Sequence, residues 1–161
     1  MNDDLVPDWI KRIRDKDEAD NAEAELSRLR QRTAQNLVQT EGIKFWKQLT
    51  KELEIAAHAC SRIGITANCT SESNRSEPTQ YGVRVNMSAG SPLAKVVHTN
   101  IWYTAGDGYI RCITMDSREK IIRLGIGPSG EVCGIGSGGG MMDAEKGAEE
   151  ILAPLVQYLR T

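Results

Sequence analysis

The sequence has few aromatic residues and contains a single phenylalanine, Phe45. Aromatic side chains make up only 5% of the chain, whereas hydrophobic residues as a whole make up 40%. A core built from this composition must therefore consist mostly of aliphatic side chains and alanine. Charged residues make up 26%, which is ordinary for a globular protein and argues against wholesale disorder.

An excess of positive charge is also missing, because the formal net charge is −2 at pH 7. The densest basic cluster, Arg28, Arg30 and Arg32, is offset by Glu23 and Glu25. Proteins that bind phosphate backbones need a basic surface, so we predict no binding to nucleic acid. No apolar run approaches the roughly 20 residues that cross a bilayer, and the acidic N-terminus lacks a signal-peptide core. We therefore predict a cytoplasmic protein that does not contact a membrane.

The cysteines form no C-x-x-C pair. They are Cys60, Cys69, Cys112 and Cys133. In a reducing compartment such residues are expected to be small buried hydrophobes. A metal site needs several ligands that converge, whereas His58 and Cys60 would diverge on a helix. The sequence therefore predicts no metal and no cofactor.

Catalysis by a cysteine needs a base within hydrogen-bond reach of the thiol. We predict a two-residue turn at Asp107 and Gly108, which would place Cys112 opposite Tyr103. Five residues separate that position from His98, which is roughly 16 Å along a strand. A cysteine–histidine dyad is therefore not expected, and we predict no catalytic residue.

Residues 8–63 contain no proline and one glycine, Gly42, which favours helix. A thin apolar stripe in the first part consists of Ala19, Ala22, Leu26, Leu29, Thr33 and Leu37. A richer apolar face in the second part consists of Phe45, Trp46, Leu49, Leu53, Ala56, Ala57, Cys60 and Ile63. The two point in nearly opposite directions on a helical wheel. This leaves open whether the region is one long helix or two helices that separate near Thr40–Gly42.

The thin stripe points to self-association. A helix of roughly fifty residues would be about 80 Å long, which exceeds a domain of this size, so part of it needs a partner. We interpret residues 1–40 as a helical arm and residues 41–161 as an α+β domain. We predict a homo-oligomer, such as a homodimer, with contacts at Leu26, Leu29, Thr33 and Leu37.

After Gly64 the pattern changes to the alternation of β-strands, which is clearest in YGVRVNMS, residues 81–88. Further strand segments are GITANCT (64–70), AKVVHTNIWYT (94–104), GYIRCITM (108–115), KIIRLGI (120–126) and EVCGIG (131–136). The connectors from residue 81 onward are too short for crossover helices, so neighbouring strands should run antiparallel. The polar segment 71–80 is predicted to be a loop.

A closing helix is predicted from about Asp143, and Pro154 inside it should bend or divide it. Its apolar face consists of Ala144, Ala148, Ile151, Leu152, Leu155, Val156 and Leu159. The predicted fold class is α+β. It comprises one or more N-terminal helical segments, an antiparallel five- or six-stranded meander, and a C-terminal helix packed on one sheet face.

Gly134, Gly136 and Gly139 spell G-x-G-x-x-G, the pattern of a dinucleotide-binding loop. That motif requires a parallel βαβ unit, whereas the strands here are predicted to be antiparallel. Asp143 is also placed to cap the helix that follows, where an anion would otherwise bind. We therefore interpret these glycines as a connector between sheet and helix.

Arg84, Arg111 and Arg123 lie in the middle of predicted strands. They either extend along an exposed sheet face or form a site for an anion or an acidic partner beside Trp102. The predicted ligand-binding residues are His98, Asn100, Trp102 and Arg111.

Two functional hypotheses follow from the sequence. The first is a non-enzymatic, self-associating binding module, which the thin helical stripe favours. The alternative is a small enzyme or ligand-binding protein with a pocket between sheet and helices, lined by His98, Asn100 and Arg111.

Overall fold

The computed structural model describes residues 5–73, 76–90 and 94–161, which form two α-helices and one antiparallel sheet. The helices are α1 (Asp8–Ala59) and α2 (Ala144–Arg160), and a short 3-10 helix, Cys60–Ile63, follows α1. The strands are β1 (Ile65–Ser73), β2 (Gln80–Ala89), β3 (Lys95–Thr104), β4 (Tyr109–Thr114), β5 (Glu119–Ile126), β6 (Val132–Ile135) and β7 (Met141–Met142). No helix within these ranges is both long enough and apolar enough to cross a bilayer.

The sheet is a meander in which each strand pairs with its neighbour in the chain, in the order β1 to β7. This confirms the antiparallel α+β prediction, but the expected five or six strands was wrong because the sheet has seven. The additional strand is β7, in which Met142 pairs with Gly134 of β6. A strand of two residues that follows a glycine-rich turn is too short to show alternation in the sequence.

The predicted loop at 71–80 begins later than expected, since β1 continues to Ser73. Part of this loop, residues 74–75, lies outside the described residues.

Helix α1 is continuous from Asp8 to Ala59, which answers the question of one helix or two. Contacts divide the chain after Asn36 into two compact units. In the first unit, residues 12–33 are exposed throughout. In the second unit α1 buries most of the predicted apolar face, but Ile63 was assigned to it wrongly and is 49% exposed. Ile63 lies in the 3-10 helix, where the spacing of the α-helix no longer holds.

The core of the second unit lies against one sheet face. Alternate residues of the central strands are buried there, including Val85 and Ile101. Trp46 of α1 stacks on Tyr103 of β3 with ring centroids 5.7 Å apart. Gly42 lets the ring of Tyr103 approach α1 closely, because a side chain at Gly42 would collide with the Tyr103 hydroxyl. Among the described residues, the helices thus cover one face of the sheet and leave the other without helical cover.

Helix α2 continues through Pro154, so of the two predicted outcomes, a bend or a division, the division does not occur. Proline has no N–H, which leaves the carbonyl of Glu150, four residues earlier, without its helical donor. Lys120 of β5 supplies a replacement, since its Nζ donates to the Glu150 carbonyl oxygen at 3.0 Å and to Glu150 Oε2 at 2.8 Å. The Lys120 side chain therefore both supplies a donor for the carbonyl that Pro154 leaves unpaired and connects α2 to β5.

We expect Lys120→Met to lower the free energy of unfolding by about 1–2 kcal/mol, because it removes a charged donor from an otherwise unpaired carbonyl. In a Pro154→Ala background the new alanine N–H can donate to the same carbonyl. The loss should then be smaller by about 1 kcal/mol. Urea unfolding of the four chains of this double-mutant cycle measures the difference. An equal loss of unfolding free energy in both backgrounds would contradict the proposed role of Lys120 as the donor that replaces the missing N–H of Pro154.

The Lys120–Glu150 pair also makes stability depend on pH. The hydrogen bond from Lys120, followed by its charge, holds the pKa of the Glu150 carboxyl below its ordinary value of 4.5. Such a carboxyl stabilises the fold above its unfolded pKa, and this contribution is lost as pH falls through the lower folded value.

We therefore expect wild type to be more stable than Glu150→Gln at pH 7, with the gap closing as pH falls below about 4.5. The matched control is Glu149→Gln, which removes a more exposed carboxylate paired with Lys146 on the same helix. Urea midpoints between pH 3 and pH 7 measure the gap. A gap that is constant across this range would show that the ion pair contributes nothing to the pH dependence.

Candidate functional site

The four predicted ligand-binding residues lie on one face of the sheet. His98, Asn100 and Trp102 alternate along β3 with the buried residues of that strand, so they point away from the core. Arg111 of β4 pairs directly with Trp102 in the antiparallel register. We call this face, on the side of the sheet opposite the buried core, the open face.

Trp102 lies flat across the neighbouring strand. Its six-membered ring occupies the space that a side chain at Gly82 of β2 would need. A glycine opposite an aromatic residue gives the ring a surface to pack on and covers a backbone that would otherwise be exposed. The indole is therefore partly buried and held in place before any partner binds.

The arginines of the open face are engaged to different degrees. Arg111 Nε lies 2.8 Å from Glu119 Oε1, and the hydrogen bond to this carboxylate raises the pKa of Arg111. Arg84 donates from Nε to Asn86 Oδ1 at 3.2 Å. An anion at Arg111 would have to compete with Glu119, so the geometry favours a polar surface with mixed charges over a dedicated anion site.

Asn100 provides an unusual acceptor on the open face. Its Oδ1 is buried and has no hydrogen-bond partner within the described residues. In the sheet register it lies between Arg84 of β2 and Ile113 of β4. A buried acceptor without a donor is unfavourable by roughly 1–3 kcal/mol, so this amide oxygen locally destabilises the sheet.

Two clefts in the described part of the second unit are lined by other residues. One of about 600 Å³ lies between α2 and the strands, with Val97, Met115, Lys120, Leu155 and Tyr158 among its lining residues. Another of about 540 Å³ lies between α1 and α2 and includes Ile55 and Leu152. Neither contains His98, Asn100 or Arg111, whose position on the open face counts against the predicted pocket between sheet and helices.

The predicted position of Cys112 was wrong by two residues, because Cys112 pairs with Ile101 and not with Tyr103. The connection spans residues 105–108, with Asp107 N donating to Thr104 O, and is longer than the expected two-residue turn. Cys112 is buried in the core, whereas His98 is on the open face. The sheet itself therefore separates this thiol from the imidazole.

The thiols have little nucleophilic character. Burial raises the pKa of Cys112 to about 12, and burial together with the charge of Glu54 raises the pKa of Cys69 to about 11. Burial also raises the pKa of Cys60 and Cys133. Over the described ranges no three His, Cys, Asp or Glu side chains are grouped closely enough to hold a metal ion.

We expect all four thiols of the native chain to react with a disulfide reagent at pH 8 more slowly than a free cysteine, since only the thiolate attacks. Cys112 should be the slowest. In urea all four should react at the rate of an unfolded thiol. Rapid labelling of Cys112 in the native chain, located by mass spectrometry, would contradict this assignment.

The glycine-rich segment forms a hairpin and a helix start. Gly134 lies within β6, where a side chain would press against Ile122, and Gly136 N donates to Gly140 O across the turn that leads to β7. Asp143 accepts a hydrogen bond from the Lys146 amide at 2.8 Å and so caps α2 itself. The connector interpretation thus agrees with the geometry, although the glycines join two strands before the helix begins.

The predicted oligomer contacts divide between the two units. Leu26 and Leu29 are 54% and 61% exposed in the first unit. Thr33 is exposed and bonds through Oγ1 to the Leu29 carbonyl at 2.9 Å, whereas Leu37 begins the second unit and is partly buried. Sequence reasoning overlooked the exposed Trp9 and other apolar residues at the start of α1, because charged residues surround them.

Comparison with known proteins does not add to this picture, since no family model, curated protein or solved structure matches the chain.

Proposed function

We propose that this protein is a non-enzymatic, self-associating binding module of the cytoplasm. The observation that carries the proposal is the exposure of Leu26 and Leu29 on a part of α1, residues 12–33, in which every residue is exposed. Isolated exposed leucines are ordinary on protein surfaces. Two on one helical face, flanked by alanine and threonine, form a stripe that a second helix can cover.

Burial of this stripe would be a substantial source of free energy. Full burial of a fully exposed leucine side chain contributes about 1.5–3 kcal/mol. Leu26 and Leu29 are 54% and 61% exposed, so each contributes roughly half of that, and each contributes twice in a two-fold dimer. Part of this gain is offset by the loss of translational and rotational freedom on association. The expected dimer is therefore reversible and depends on concentration.

The open face is the surface we assign to a further partner. It combines the partly buried indole of Trp102 with exposed apolar side chains such as Ile121. Aromatic residues and arginine are enriched at the centres of protein interfaces. The raised pKa values of Cys69 and Cys112 count against these two thiols as nucleophiles.

We expect the wild-type chain to sediment as a dimer at micromolar to hundred-micromolar concentration, and Leu26→Ser/Leu29→Ser to weaken association by at least about a hundredfold. The control is Ile55→Ser, which removes a 53% exposed apolar side chain from the same helix outside the stripe. It should leave the dissociation constant nearly unchanged. Circular dichroism checks that each variant keeps its helix.

Sedimentation equilibrium provides the decisive measurement. A mass equal to one chain, 17.7 kDa, up to several hundred micromolar would overturn the self-association proposal. So would an equal loss of association in the control and in the stripe variant.

A further inference from the structure

The stripe on α1 has the spacing of a coiled-coil seam. Ala19, Ala22, Leu26, Leu29 and Thr33 follow one another in alternating steps of three and four residues. This repeat keeps the apolar positions facing a partner helix along a gently supercoiled pair. A second copy of the same helix is therefore the occupant that the spacing fits.

Charged residues flank this seam on both sides, with Glu23 and Arg30 on one side and Glu25 and Arg32 on the other. Positions of this kind set the partner and the orientation of a coiled coil. Salt bridges within the described residues involve none of the four. Glu23, Arg30 and Arg32 have no opposite charge three or four residues away on their own helix, so their charges are free to interact with a second helix.

We propose that α1 pairs with α1 of a second copy in antiparallel orientation, with the two-fold axis between Leu26 and Leu29. This inference rests on the proposed self-association and specifies its geometry. In this register Leu26 packs against the partner's Leu29, and Ala22 packs against the partner's Thr33. The leucines of both chains then form the central layers, and the smaller alanine and threonine side chains pack on either side of them.

The charges select this orientation. In the antiparallel pair Glu23 faces the partner's Arg30, and Glu25 faces the partner's Arg32, each twice by symmetry. In a parallel pair Glu25 would again meet an arginine of the partner, but Glu18 would meet the partner's Glu23. Attraction and repulsion would then offset each other. The antiparallel register has attraction on both sides of the seam.

Charge substitutions on the full-length chain test the orientation. Glu25→Arg and Arg32→Glu should each raise the dissociation constant about tenfold at low salt, because each replaces two symmetry-related attractions by repulsions. The double exchange Glu25→Arg/Arg32→Glu recreates the attraction with the charges reversed. Its dissociation constant should return to within about threefold of wild type.

Parallel pairing would give a different pattern. The Arg32→Glu chain would associate like wild type, since Arg32 would face the uncharged Leu37 of the partner subunit, and the double exchange would stay as weak as Glu25→Arg. That result would overturn the antiparallel assignment and leave self-association intact. A wild-type chain that is monomeric would instead overturn the proposed function itself.

Glu18→Arg is the matched control, because it makes the same charge change on the same helix. Antiparallel pairing places Glu18 near the uncharged Gln39 of the partner subunit, so the dissociation constant should change by less than about twofold. Tightening of the dimer by this substitution would indicate the parallel arrangement and contradict the proposal. Circular dichroism of every variant separates loss of pairing from loss of helix.

Discussion

One constraint organises the second unit: a single antiparallel sheet has two faces, and its helical cover reaches one of them. The apolar alternation of β2 and β3 is satisfied by α2 and by the part of α1 that follows Asn36. The remaining face must be stable in water, and its residues are accordingly a mixture of polar, charged and aromatic side chains. The candidate binding surface is thus a direct result of how the core is closed.

The attachment of α2 shows how a local defect can strengthen a tertiary contact. Pro154 removes one N–H donor from the helix, and this leaves the Glu150 carbonyl without a helical partner. Lys120 of β5 donates a hydrogen bond to that carbonyl. The same ammonium group holds the Glu150 carboxylate. Position and orientation of the helix are therefore specified by directional bonds in addition to apolar packing, which is non-directional.

Periodicity was enough to predict most of the fold, because alternation in β2 and β3 and the helical spacing from Phe45 to Leu53 both reflect burial on one face. It failed where geometry depends on a few backbone angles. The length of the turn before β4 shifted Cys112 by two positions, and β7 was too short to show any pattern.

For the candidate site, periodicity placed His98, Asn100, Trp102 and Arg111 together. The packing of Trp102 on Gly82 was not predictable, because it depends on which residues face each other across two strands.

The strand order has a consequence for the folding reaction. Since every strand pairs with its neighbour in sequence, each hairpin closes a short loop and loses little chain entropy. A topology dominated by such local pairings has low contact order for a β-rich protein and should have a fast folding phase. The slowest step is then expected to be the docking of the two helices, which come from opposite ends of the sheet in sequence and must meet on the same face.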